Sequence, residues 1–125
     1  MVEDRDFSRL DSIIADDAVF YSPVVHKPQI GKARVLPYLA AAFHVFLNPS
    51  FKYIRQIVGE TDAVLEFSVE IDGISVNGVD MMKFDETGRI SEFKVMLRPL
   101  KGVNIIHEKM AAMLAAHAAK KQVVE

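Results

Sequence analysis

Between residues 63 and 71 the side chains alternate: Ala63, Leu65, Phe67, Val69 and Ile71 fall on one side, Glu66, Ser68 and Glu70 on the other. A period of two describes a strand with one covered face. The same period returns near the end of the chain, where Phe93, Val95 and Leu97 are apolar and Glu92, Lys94 and Arg98 are not. With Phe51–Val58 and Ser75–Phe84 these runs make four strands, Phe51–Val58, Ala63–Ile71, Ser75–Phe84 and Ile90–Leu97. The links between them, GETD, DG and DETG, are turn-forming, so the pattern predicts an antiparallel meander.

Helical spacing brackets the meander. Phe7, Leu10, Ile13 and Ile14 predict a short helix over 7–15, with Ser8 as a weak cap and the Asp16-Asp17 pair as its end. Ala18–Ser22 then reads as a strand built on Val19, Phe20 and Tyr21 and running into Pro23. Residues 23–31 form a loop bounded by prolines and Gly31. From Lys32 to Leu47 the chain is apolar on most sides and predicts a buried helix stopped by Asn48-Pro49. Pro37 fits either the first turn of a helix starting near Leu36 or a kink after an opening turn at Lys32–Val35. After Arg98-Pro99, Val103, Ile106, Met110, Met113 and Leu114 form a stripe, and Lys120 and Lys121 suit a helix C-terminus, giving a last helix over about 100–119.

The 125 residues, half of them hydrophobic and 26% charged, are expected to form one domain spanning 1–125. The formal charge of -2 provides no basic field for nucleic acid, and the acidic start MVEDRDFSRL and the lack of a long apolar run point to a cytoplasmic chain with no membrane partner. The chain has no cysteine, which removes disulfides, thiol nucleophiles and cysteine-ligated metals. The four histidines show no metal-ligand spacing, and no phosphate-binding glycine loop is present, so neither metal nor cofactor is expected.

Helices closing one face of a curved antiparallel sheet make an α+β cone with a pocket between the layers. Parity lines that pocket with Leu65, Phe67 and Val69, with Phe93, Val95 and Leu97, with Phe20 from the first strand and with Leu39 and Phe43 from the helix. One residue breaks the pattern. If Met82 and Phe84 point inward, so does Asp80, and a carboxyl among apolar rings loses hydration and holds its proton to higher pH. A structural Asp hydrogen-bonded inside the fold, or a bulge turning it to solvent, explains the same residue without a site. Tyr21, Tyr38 and Tyr53 are candidate phenolic donors, Tyr38 the preferred one, and His26 in the loop and His44 beside Phe43 are candidate bases. On the outer face Val64, Val79, Met81 and Met96 form an apolar patch that fits a partner sheet and hence a homodimer.

The run ADDAVFYSP at 15–23, Gly31, VDMMKFDETGRI at 79–90 and RPL at 98–100 resemble the SnoaL-like proteins, which group with ketosteroid isomerases, polyketide cyclases and scytalone dehydratases in the nuclear transport factor two superfamily. The resemblance runs from about Ser8 to Met113 and implies a cone-shaped, curved antiparallel sheet, helices on its concave face and dimerisation through the outer face. It aligns Asp80 with the carboxylic acid that ketosteroid isomerases use to stabilise a dienolate oxygen. Ser22 stands where those isomerases carry their general-base aspartate, and the tyrosine of their first helix would fall upstream of Met1. A serine cannot shuttle that proton near neutral pH.

Two functions are expected from different classes. The first is a pocket for a hydrophobic small molecule anchored by Asp80 and bordered also by Ser22, Tyr38 and Met82. As an enzyme it would run cofactor-free acid–base chemistry of isomerase, cyclase or dehydratase type, with His26 or His44 as base. The second is a non-catalytic dimeric scaffold whose cone is filled by its own side chains.

Overall fold

The computed structural model describes residues 10–124, with side chains described as far as residue 116. Phe7 and Ser8 of the first predicted helix lie outside the described residues, as do the side chains of Lys120 and Lys121. The elements are α1 (Leu10–Ile13), β1 (Ile14–Tyr21), β2 (Gln29–Ile30), α2 (Lys32–Phe46), β3 (Lys52–Val58), β4 (Asp62–Ile71), β5 (Ile74–Phe84), β6 (Ile90–Arg98) and α3 (Leu100–Val124). The six strands form one sheet in the order β2-β1-β6-β5-β4-β3. Among the described strands only β1 and β6 run parallel, and the other neighbouring pairs are antiparallel. This is an α+β fold with helices on one face of a curved, unclosed sheet.

The meander follows its pattern to within one residue at each strand end. Asp72 and Gly73 close the β4–β5 hairpin with φ of 51° and 79°, both positive, as a two-residue turn matched to strand twist requires. Asp85 folds the next turn on its own carboxylate, which accepts from the N–H groups of Thr87 and Arg89 at 2.9 and 3.0 Å.

The first third of the chain departs from expectation. Ile14 and Ala15 belong to β1 and are buried, so the helix ends early at Ile13 and the strand starts sooner than Ala18. Asp16 and Asp17 do not stop an element. They are exposed within β1, where the register against β6 slips between Ile14 and Val19, and the bulge turns both carboxylates outward. Lys32 holds this segment, with Nζ 3.3 Å from Asp16 Oδ1 and 2.6 Å from the carbonyl of Asp11. Ser22 lies beyond the strand, and the loop after it contains β2, paired with Val19 and Phe20.

α2 begins at Lys32, where the carbonyl of Gly31 accepts from Arg34 and Val35 at 3.0 Å each, and it continues through Pro37. The proline deprives the Ala33 carbonyl of its intrahelical donor at an exposed residue, where water can replace it. The N–H of Leu47 donates to Phe43 before Asn48-Pro49, so the helix stops one residue short of Leu47. α3 runs on past 119 to Val124, a stretch with no glycine or proline to end it.

Two apolar clusters form between the layers. One joins Leu10, Ile14, Ala18 and Phe20 to Val35 and Leu39 of α2 and to Ile90 and Val95 of β6. The other joins Phe46 of α2 to Phe67, Val69, Ile71 and Val76 of the sheet and to Ile106 of α3. Phe67 centres the second: it stacks on Phe51 at 5.2 Å between centroids and meets Phe46 edge-on at 5.3 Å. Its ring lies over Gly78, the residue opposite it on β5. A Cβ at Gly78 would stand 2.5 Å from Phe67 Cζ and 2.7 Å from Leu97 Cδ2. Because the Phe67 ring is buried between two others it cannot swing clear. We expect Gly78→Ala to destabilise the fold by about 1–3 kcal/mol in urea unfolding; a loss below a few tenths would show that the ring moves freely.

Candidate functional site

β5 presents Val76, Gly78, Asp80, Met82 and Phe84 to the helices, because alternate residues of a strand share a face. Asp80 therefore points into the layer interface, paired with Leu65 of β4 and Val95 of β6. It sits where the two apolar clusters meet and leave a narrow, partly open cleft between them. One wall is α2, through Leu39, Ala42, Phe43 and Phe46 with Leu47 behind them. The other is the sheet, through Phe67, Phe93 and Val95, with Phe51 and Tyr53 on the β3 side.

The carboxyl of Asp80 engages in no hydrogen bond or ion pair with another described residue. Burial without a compensating donor pushes its pKa up to about 7, so the acid keeps its proton into the neutral range. Tyr53 lines the same cleft. Its phenol is pushed up to about 12, first by burial and then by the nearby Asp80 carboxylate, so it remains a neutral O–H donor at any physiological pH. The ring is held edge-on against Phe51 at 5.1 Å.

Tyr53 faces inward because of a local irregularity. From the hairpin end, Val58 pairs with Ala63 and Gln56 with Leu65, a count that would bring Ile54 opposite Phe67. The register instead shifts between Tyr53 and Arg55, and Tyr53 takes the place opposite Phe67. Ile54 is the extra residue of a β-bulge, and it is 54% exposed.

Of the residues named from sequence, Leu39, Phe43, Tyr53, Phe67, Asp80, Phe93 and Val95 line this cleft. Others lie elsewhere, each for a definable reason. Phe20 is buried against Tyr38, whose ring lies 5.8 Å away, so Tyr38 is packed into the first cluster and does not line the cleft. Val69 is consumed by the second cluster, and Leu65, Met82 and Leu97 face inward without reaching the cleft lining. Ser22 turns back on its loop, its Oγ accepting from Val24 at 3.1 Å and Val25 at 3.3 Å. His44 is exposed on α2, one residue round the helix from Phe43. His26 is exposed in the loop and borders a different, open groove with Ser22 and Tyr21, which shares only Val95 with the cleft. Ala42, Phe46, Leu47 and Phe51 line the cleft without having been singled out.

Among the described residues no group of three or more His, Asp or Glu side chains is placed to hold a metal ion, and no helix is long and apolar enough to cross a membrane.

The family model of the SnoaL-like domain matches residues 1–93. A steroid delta-isomerase from Pseudomonas aeruginosa superposes with a TM-score of 0.88 at 38% identity, over 94% of this chain and 86% of its own. A protein with a cystatin-like fold from Silicibacter pomeroyi superposes at 0.86 with 29% identity, over 98% of this chain and 85% of its own. An epoxide hydrolase/cyclase-like enzyme, SalBIII, of pyran ring formation in the polyether salinomycin superposes at 0.62 with 16% identity, over 78% of this chain and 81% of its own, a likeness of fold alone. No curated protein matches the chain.

The raised pKa of Asp80 carries a stability consequence whose sign follows from proton counting. Between about pH 4 and 7 the unfolded chain has released the Asp80 proton while the folded chain retains it, so stability falls as pH rises through that window. Three pKa units amount to about 4 kcal/mol as an upper bound. We expect Asp80→Asn to match the wild type near pH 4 and to exceed it in unfolding free energy near pH 8. Stability curves that stay parallel across this range would place the carboxyl in water.

Proposed function

This chain belongs to the SnoaL-like family, and from that premise we propose that it binds an apolar small molecule in the cleft beside Asp80, whose protonated carboxyl donates to an acceptor oxygen of the ligand. The observation that carries this reading is a carboxyl with no partner among the described residues, aimed into a cleft walled by phenylalanines. A polar group so placed is stabilised when a ligand atom completes its hydrogen bond. The 38% identical protein from P. aeruginosa is a steroid delta-isomerase, which supports a rigid, ring-built ligand.

The chemistry that fits is polarisation of a carbonyl or enol oxygen by a neutral acid, without a cofactor. Proton abstraction needs a second group. His26 and His44 do not line the cleft, and Ser22 Oγ is occupied by its own loop, so the described lining residues contribute a donor but no separate base. Isomerase, cyclase or dehydratase turnover would therefore depend on Asp80 itself moving a proton, and binding with activation is the function we assign.

The proposed partner of the convex face is a second copy of the chain. Ile57, Val64 and Met81 lie side by side across three strands, and Val79 lies beside Met96, with charged residues at the margins. Met96 is 48% exposed and Ile57 58%, an apolar area that pairing of two such faces would cover. We expect a dimer mass in analytical ultracentrifugation and a monomer mass for Met81→Lys with an unchanged circular dichroism spectrum. A monomeric wild type at tens of micromolar would remove the dimer.

For the cleft, the bicyclic ketone 1-tetralone is a suitable probe. Its affinity should be level below about pH 7 and fall toward tenfold per pH unit above it, as Asp80 loses the proton it donates. In Asp80→Asn the profile should be flat. An unchanged wild-type affinity through pH 9, read by calorimetry, would refute the donor role.

A further inference from the structure

The two walls of the cleft are joined by one short turn. α2 ends at Phe46 and β3 starts at Lys52, and the segment 47–51 between them supplies Leu47 to the helix side of the cleft and Phe51 to the strand side. We propose that Asn48 and Ser50 are positioning residues for the cleft: they clamp this turn to β4, set the spacing of the two walls and so restrict the site to flat ligands. The inference rests on the cleft being a ligand site and names what limits the shape of its guest.

The turn is closed twice. The N–H of Phe51 donates to the Asn48 carbonyl at 3.0 Å, which makes a four-residue turn with Pro49 at its second position, where a fixed φ suits the bend. The Oδ1 of Asn48 also accepts from the N–H of Ser50 at 2.8 Å. Side chains, not a ladder, fasten this turn to the sheet. β3 pairs with β4 only from Lys52, opposite Ser68, so Glu70 lies beyond the paired stretch. There the Asn48 amide donates to the Glu70 carbonyl at 3.0 Å, and the Ser50 Oγ accepts from the Glu70 N–H at 2.9 Å. Two side chains thus complete both backbone groups that one more strand residue would have paired. Glu70 is itself held opposite Ser75 on β5, so the clamp ties Leu47 and Phe51 to a fixed point of the sheet. Phe51 stacks on Phe67 and meets Tyr53 edge-on, and a shift of the turn therefore reaches the rings around Asp80. α2 packs chiefly on β1 and α3, and at its C-terminal end the clamp joins the Phe46–Phe67 contact in holding it over the sheet.

Asn48→Ala and Ser50→Ala each remove one side of the clamp, whereas Ser50→Thr keeps the hydroxyl. In the ligand-free protein we expect water entering the widened cleft to lower the Asp80 titration midpoint by about one pH unit in both alanine variants, read by NMR of its carboxyl carbon, and Ser50→Thr to keep the wild-type midpoint. The affinity ratio of 1-tetralone, a flat ketone, to 2-adamantanone, a thick cage ketone, should fall about tenfold in the alanine variants by calorimetry. Should Asn48→Ala fail to fold, Ser50→Ala, which leaves the turn and the Asn48 contacts in place, carries the comparison. A midpoint and a ratio that stay at wild-type values while thermal stability drops would overturn the proposal and make the clamp structural alone. A lowered midpoint with an unchanged ratio would overturn the shape restriction. A wild type that binds neither ketone, beside a lowered midpoint in the alanine variants, overturns the cleft as a ligand site and supports the clamp as what spaces its walls.

Discussion

A strand cannot turn one residue away from its own face without breaking its ladder, and that constraint fixes the chemistry of this protein. Val76, Met82 and Phe84 must point toward the helices to build the core, so Asp80 points with them. A carboxylate there would lose much of its hydration with no described donor to replace it, and the group responds by holding its proton to about pH 7. An acid that elsewhere would be a solvated anion becomes a neutral donor inside an aromatic cleft. The proposed function depends on that change of state.

The cleft exists because the core is divided. The first cluster gathers where β1, β6 and the start of α2 meet, and the second where the middle of the sheet meets the end of α2 and α3. Leu39 and Val95 from one, Phe46 and Phe67 from the other, bound the space between them. Gly78 contributes by omission: the absence of a side chain there leaves the space over β5 that the Phe67 ring fills.

Family membership defines the scaffold and leaves the chemistry to particular residues. Ser22, which the sequence resemblance aligns with the base of the ketosteroid isomerases, is committed by the structure to capping the loop after β1. Both histidines near this end are exposed. What remains in the cleft is a pair of donors, one from the centre of the sheet and one from its edge. A site of that composition polarises an oxygen well and removes a proton poorly.

Strand periodicity alone located β3 to β6, placed Asp80 on the covered face and put Val64, Val79, Met81 and Met96 on the opposite one, because alternation is a local property that survives any tertiary context. The places where it failed are those where a neighbouring strand decides. Leu10, Ile13 and Ile14 have helical spacing, yet Ile14 pairs with Ile90 and starts a strand, and the Asp16-Asp17 pair became a bulge in place of a helix end. Counting inward from the hairpin would turn Tyr53 outward, and a single extra residue, Ile54, reverses it. Tyr38, preferred to Tyr53 as the phenolic donor, packs on Phe20. Pattern along the chain determined which strands form and which face of each is covered; register between strands, set by contacts far apart in sequence, decided which tyrosine lines the cleft with Asp80.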